Sequence, residues 1–170
     1  MYKRLVSVMV LVIFVFIVQT AAQIPADSEQ DIFLPDKKEI LSWMTTAAKI
    51  PAAQQNEKAE AALKGISDPD DKTPRSNFQL CAGLAYLGNG KAQQCMGRAY
   101  ENGRGVVDDM LEAYVWFELA AEKKVPEGET DRDRVLLRLN SAYPAPSEEE
   151  LENLLAEHKG KIAEYQKEAK

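Results

Sequence analysis

The sequence predicts an all-α protein, a short αα-hairpin solenoid of about seven helices behind a signal peptide. Three observations predict it. Ala, Glu, Lys and Leu are common and aromatic residues make up only 8%, a balance that leans towards helix. Proline- and glycine-containing breaks divide the chain into helix-length segments. The stretch AQQCMGRAYENGRGVVDDMLEAYVWFELAA, Ala92 to Ala121, reads as two short helices around a glycine-rich loop. Its Ala92, Cys95, Met96, Ala99 and Tyr100 follow i, i+3, i+4, i+7, i+8, and Ala113, Trp116, Phe117 and Ala120 form a second stripe. Such a hairpin cannot bury its own face and needs neighbours of the same kind.

The chain begins MYKRLVSVMVLVIFVFIVQTAAQ. Lys3 and Arg4 precede an apolar run, and Thr20, Ala21 and Ala22 supply small residues before Gln23, the order of a secretory signal peptide over 1–22. The competing reading is an uncleaved membrane anchor, since the run approaches spanning length. Without a cysteine after the run, a lipid-anchored form is not expected. The net charge of −6 falls by a further two units with loss of Lys3 and Arg4. No basic cluster is present, which argues against nucleic acid, and against a membrane partner beyond the export signal.

Residues 23–35 hold two prolines and no sustained period, and read as a flexible lead-in. Residues 36–64 read as an N-terminal helical pair. Asp36 caps the first helix with Glu39 as its capping-box partner, and Ile40, Leu41, Met44, Ala47 and Ala48 form the apolar face, with Trp43 beside it. The second starts at Pro51 and is expected to end at Gly65; its apolar face is thin. Residues 65–75 read as a loop because SDPDDKTP is dense in breakers, Pro69 and Pro74 among them. Residues 76–124 form the repeat region. Phe78, Cys81, Ala82, Ala85 and Tyr86 share a helical face, Gly88-Asn89-Gly90 turns the chain, and Lys91 opens the next helix. Gly103 stands where a left-handed C-terminal residue is wanted and Gly105 permits a second unusual dihedral. Asp109 caps the following helix, with Glu112 as the return half of its box. Residues 125–170 supply the C-terminal helices that close the solenoid. Thr130 or Asp131 caps a helix carrying Val135, Leu136, Leu139 and Ala142, and Pro144 and Pro146 stop it. Ser147 and Glu150 form another box, before a final helix striped by Leu151, Leu154, Leu155, His158, Ile162 and Tyr165.

The chain has two cysteines, Cys81 and Cys95. In an exported protein a pair is read first as a disulfide. In a hairpin folded near Asn89 the two lie at similar distances from the turn, each on its helix's apolar face, so a bond is geometrically reasonable; two small buried thiols in a helix contact are the alternative. The segments Cys81–Tyr86 and Cys95–Tyr100 share Cys-x-Gly-x-Ala-Tyr, a spacing of small residues that lets helices approach. Neither the cysteine spacing nor the single histidine suits a metal site, and no cofactor is expected.

The stretch from Ala92 resembles the Sel-one-like repeat, a helical-hairpin relative of the tetratricopeptide repeat. The positions that carry the resemblance are Ala92, Gly97, Tyr100, Gly103, Gly105, Val106, Asp109, Ala113, Trp116, Ala120 and Ala121, with Met96 at a usual leucine position. The resemblance covers one unit; Glu122-Lys123-Lys124 stands where a closing glycine is usual, which marks the unit as the last. It implies a protein that binds another protein and is not an enzyme; with the signal peptide, an exported periplasmic or secreted one is expected. An immunity or inhibitor protein that occludes a secreted effector enzyme is the alternative, for which an acidic surface suits a basic target. An envelope hydrolase is disfavoured, since no triad, metal set or carboxylate pair is arranged for it. His158 is read as an edge-of-core histidine, Glu148–Glu150 as a helix-start charge cluster, and Gly103-Arg104-Gly105 as no phosphate loop. Tyr114, off the Trp116 stripe, is the candidate interface residue.

Overall fold

In a computed structural model, residues 34–169 are described; the expected signal peptide, the alternative anchor and nearly all of the lead-in lie outside them. Among the described residues every regular element is a helix, and there are seven: α1 (Lys37–Ala47), α2 (Ala52–Ser67), α3 (Pro74–Tyr86), α4 (Gly90–Asn102), α5 (Met110–Glu122), α6 (Gly128–Asn140) and α7 (Glu148–Glu168). No helix among them is long and apolar enough to cross a membrane.

Local chemistry explains most of the boundaries. The Asp36 carboxylate accepts from the Glu39 backbone N–H at 2.8 Å while Glu39 accepts from the Asp36 N–H at 3.1 Å, so α1 starts in a closed capping box. Asn89 caps α4 by accepting from the Ala92 N–H, and Gly103 ends it at φ 61°. Ser147 and Glu150 close the box at the head of α7.

Five details differ from the sequence reading. Gly65 does not end α2, which continues to Ser67. A Cβ at Gly65 would lie 2.2 Å from the Asn77 amide and 2.3 Å from the Asp71 carboxylate, so the glycine makes room for the next loop against the helix. Pro74 does not belong to that loop: it is the first residue of α3, where its missing N–H costs nothing. The loop that remains, residues 68–73, is held by Arg104, whose guanidinium donates to the backbone carbonyls of Asp68 at 2.7 Å and Asp71 at 3.2 Å. Thr130 and Asp131 do not cap α6. The chain turns through Glu127 at φ 63°, so the helix begins at Gly128 and places Asp131 on its buried side. It ends at Asn140, leaving Ala142 beyond it in a connection that holds a cis Tyr143–Pro144 bond. Finally, Asp109 does cap α5, accepting from Leu111 and Glu112 N–H groups, but Glu112 does not return to it. Its carboxylate is engaged elsewhere, as described below.

The packing order is regular. Helix α1 lies on α3, α2 on α3 and α4, α4 on α3 and α5, and α5 on α6. Helix α7 then lies on α5 and α3. Trp116, Phe78, Phe117, Met44, Ile66 and Leu84 are the largest fully buried side chains. Edge-to-face pairs link the layers: Trp43 with Phe78 at 6.0 Å, Phe78 with Tyr100 at 5.8 Å, and Tyr86 with Trp116 at 5.3 Å. Each such pair contributes about 0.5–1.5 kcal/mol beyond the area it buries. The two Cys-x-Gly-x-Ala-Tyr segments play matching parts on opposite sides. A Cβ at Gly83 would meet the Trp43 carbonyl of α1 at 2.5 Å, and one at Gly97 would meet the Phe117 ring of α5 at 2.6 Å. Each glycine therefore lets its helix touch a neighbour.

Candidate functional site

The residues that carry the repeat resemblance lie mostly inside. Ala92, Gly97, Tyr100, Val106, Ala113, Trp116, Ala120 and Ala121 are all buried. Gly103 and Asp109 are exposed and Gly105 half-buried, shaping the turn between α4 and α5. Gly105 has φ 79°, and a Cβ there would meet the Pro74 carbonyl at 2.4 Å, so the turn packs against the start of α3. These side chains build the scaffold and leave little of themselves for a ligand.

Cys81 and Cys95 are joined in a disulfide, with Cα atoms 5.9 Å apart and both residues fully buried. The bond ties α3 to α4 across the Asn89 turn.

Tyr114 is half-buried and stands at a cleft of about 450 Å³ between α5, α6 and α7. Leu136, Leu151 and Leu155 supply apolar walls; Glu118, Glu148 and Glu152 supply carboxylates. Burial, and then the charge of Glu118, push the Tyr114 hydroxyl above its ordinary range. A cleft with an aromatic ring, aliphatic walls and carboxylates suits a cation on an apolar stem, such as a lysine or arginine side chain. A second cleft, of about 550 Å³, is lined by Leu111, Leu139, Pro144 and Leu154 and is mainly apolar.

Two polar constellations were not foreseen. In the first, Asp131 of α6 and Glu101 of α4 are buried, with side chains only 4% and 5% exposed. Arg98 donates to Asp131 at 2.6 Å and to Glu101 at 3.2 Å. Arg134 donates to Asp131 at 3.0 Å and also to Glu101, while Arg138 reaches Glu101 at 3.2 Å. Gln94 donates to the second Asp131 oxygen at 3.0 Å. The guanidinium carbons of Arg98 and Arg134 also lie 5.7 and 5.8 Å from the Phe117 ring centroid. Burial, then repulsion from Arg98 and Arg138, lower the pKa of Arg134. The spacing of Asp131, Arg134 and Arg138 at i, i+3, i+7 was the available signal: it puts them on one side of α6 with buried Val135. The arrangement fastens α4 to α6.

The second constellation joins α5 to α7. The Glu112 Oε2 accepts from the Trp116 indole N–H at 3.2 Å and lies 3.0 Å from His158 Nε2. His158 Nδ1 lies 3.0 Å from the Leu154 carbonyl oxygen. The histidine is 4% exposed and packs edge-on against Trp116 at 5.9 Å. With both nitrogens engaged in a buried place, it has no lone pair presented to a substrate. Among the described residues, no group of three or more His, Cys, Asp or Glu side chains could hold a metal ion.

No protein-family model matches the chain, and comparison with curated proteins and with solved structures gives no match.

Proposed function

We propose that the chain is an exported Sel-one-like repeat protein that acts in the cell envelope as a non-catalytic protein–protein interaction module. The observation that carries this reading is the serial packing of the helices. From α2 to α6 each helix packs on the next in the chain, and α1 also packs on α3 and α2 on α4, as in a stacked solenoid. A buried disulfide fits an oxidising compartment. The recognisable repeat positions are used for packing, which leaves partner contact to surface side chains such as Tyr114 and its cleft.

The test is affinity capture from envelope extract, run in parallel with the wild-type chain and Tyr114→Glu. Recovery of one protein in near-equal amount by the wild type, and its loss with the variant, supports the reading. Equal recovery by both assigns the contact elsewhere; recovery of no specific protein by either counts against an interaction module.

The carboxylates of the Tyr114 cleft favour a second reading, an immunity or inhibitor protein that occludes a basic region of a secreted effector enzyme. That reading requires the captured protein to be an enzyme whose turnover falls when the chain is added.

A further inference from the structure

We propose that α7 is a pH-sensitive cover, its seat on α5 tightened by the proton of His158 and loosened when that proton is lost.

His158 faces two acceptors. The Leu154 carbonyl and the Glu112 carboxylate can only accept, and each lies 3.0 Å from one ring nitrogen. A neutral imidazole carries one N–H, so either tautomer turns a lone pair towards one of these oxygens. Only the imidazolium satisfies both; the neutral Nε2–H tautomer keeps a weaker bond to Glu112 and turns a lone pair on the Leu154 carbonyl. Burial lowers the pKa of this histidine, but the Glu112 hydrogen bond and charge and the Leu154 carbonyl outweigh it, and the net shift is upward. The linkage follows: with a folded-state pKa above the unfolded one, the contribution to stability is complete at low pH and is lost as pH rises through the folded value.

The rest of the α7 seat makes the effect local. The first half of the helix lies beside the two clefts, Leu151 and Leu155 on one and Leu154 on the other, so apolar packing there is incomplete. Beyond it Ile162 packs against the core and Tyr165 belongs to it, and polar tethers add to them: Lys159 to Glu122 at 2.5 Å, Gln166 to the Tyr86 carbonyl at 2.8 Å, and Lys37 of α1 to Glu164 and Glu168 at 2.6 Å each. Three of these pairs are exposed and contribute little. Tyr165 stacks on Tyr86 at 5.4 Å. His158 is therefore the central buried attachment, next to Trp116.

The charged and titratable groups around it come from each packed element. Glu112 faces it from α5, and Tyr86 and Tyr100 approach Glu112 from α3 and α4. Glu157, Lys161 and Tyr165 share its helix. Burial pushes both Tyr86 and Tyr100 upward, the Glu157 bond raises Lys161, and the Lys161 bond lowers Glu157. Each of these shifts moves its group away from neutrality, leaving the histidine as the group that changes charge there.

The experiment uses hydrogen exchange of the full chain from about pH 5 to about pH 9, corrected for intrinsic exchange, with peptides from α7 and α4. His158 is the sole histidine in the chain, so its titration is read from a single ring resonance. The expected result is a loss of α7 protection of about ten-fold, centred on the His158 midpoint, with α4 unchanged. Glu112→Gln removes the negative charge that favours the proton and moves both midpoints to lower pH together. Constant α7 protection overturns the proposal. So does a loss centred away from the His158 midpoint, or one shared equally by α4.

Discussion

At the scale of single residues, two positions decide how closely helices meet. Gly97 places α4 against the Phe117 ring, and a methyl group there would sit 2.6 Å from two ring carbons. Gly97→Ala is expected to destabilise the chain by about 1–3 kcal/mol through overpacking, despite the gain in helix propensity. Urea denaturation gives the number, and a neutral or stabilising result would mean the ring can withdraw. Glu101 offers the opposite kind of test. It is buried and receives three guanidinium groups. Glu101→Gln keeps the shape and removes the charge. The arginines retain partial access to water, so the expected loss is about 2 kcal/mol and less than for a fully buried pair. Residue-scale chemistry was also where the sequence was hardest to read. Asp109 and Glu112 have the spacing of a capping box, yet Trp116 and His158 compete for the glutamate and win. Asp131 has the look of a cap and is instead a buried acceptor, because Glu127 takes a left-handed turn and starts the helix earlier. Local spacing cannot reveal a competitor contributed by another helix.

At the scale of elements the sequence was far more legible. The capping signals at Asp36, Asp109 and Ser147 mark helix starts, since a side chain that satisfies backbone N–H groups acts within a few residues. The apolar stripes of α3, α4, α5 and α7 likewise face the core. What stayed hidden was Gly65, whose place inside α2 answers to Asp71 and Asn77 and not to helix propensity. The α3–α4 hairpin carries the strongest prediction at this scale. Its disulfide closes a loop with a sequence separation of 14 residues. Reduction, or replacement of Cys81 and Cys95 by alanine, is expected to cost about 3 kcal/mol. Denaturation with and without reductant measures it, and coincident curves would refute the estimate. Ser147→Ala removes the cap of α7 and should lower stability by about 1 kcal/mol, visible in the same assay.

At the scale of the whole molecule, the row of helices is closed by its last member. Helix α7 returns across α5 and α3, and its far end meets α1, where Lys37 lies 2.6 Å from both Glu164 and Glu168 and 5.3 Å from the centre of the Tyr165 ring. Truncation after Asn140 removes this closure. The shortened chain is expected to keep its far-ultraviolet helix signal in the remaining elements but to bind a hydrophobic dye, because Trp116 and Tyr86 lose their cover; absence of dye binding would show that the face closes by itself. The same closure has a consequence for chain connectivity. Residues near 37 and near 168 are neighbours in space, while Tyr143 sits fully exposed in the connection before α7. Backbone order around the fold is therefore interchangeable with a new one: a short linker from 169 to 34 and a cut at Tyr143 yield a circular permutant in which α7 precedes α1.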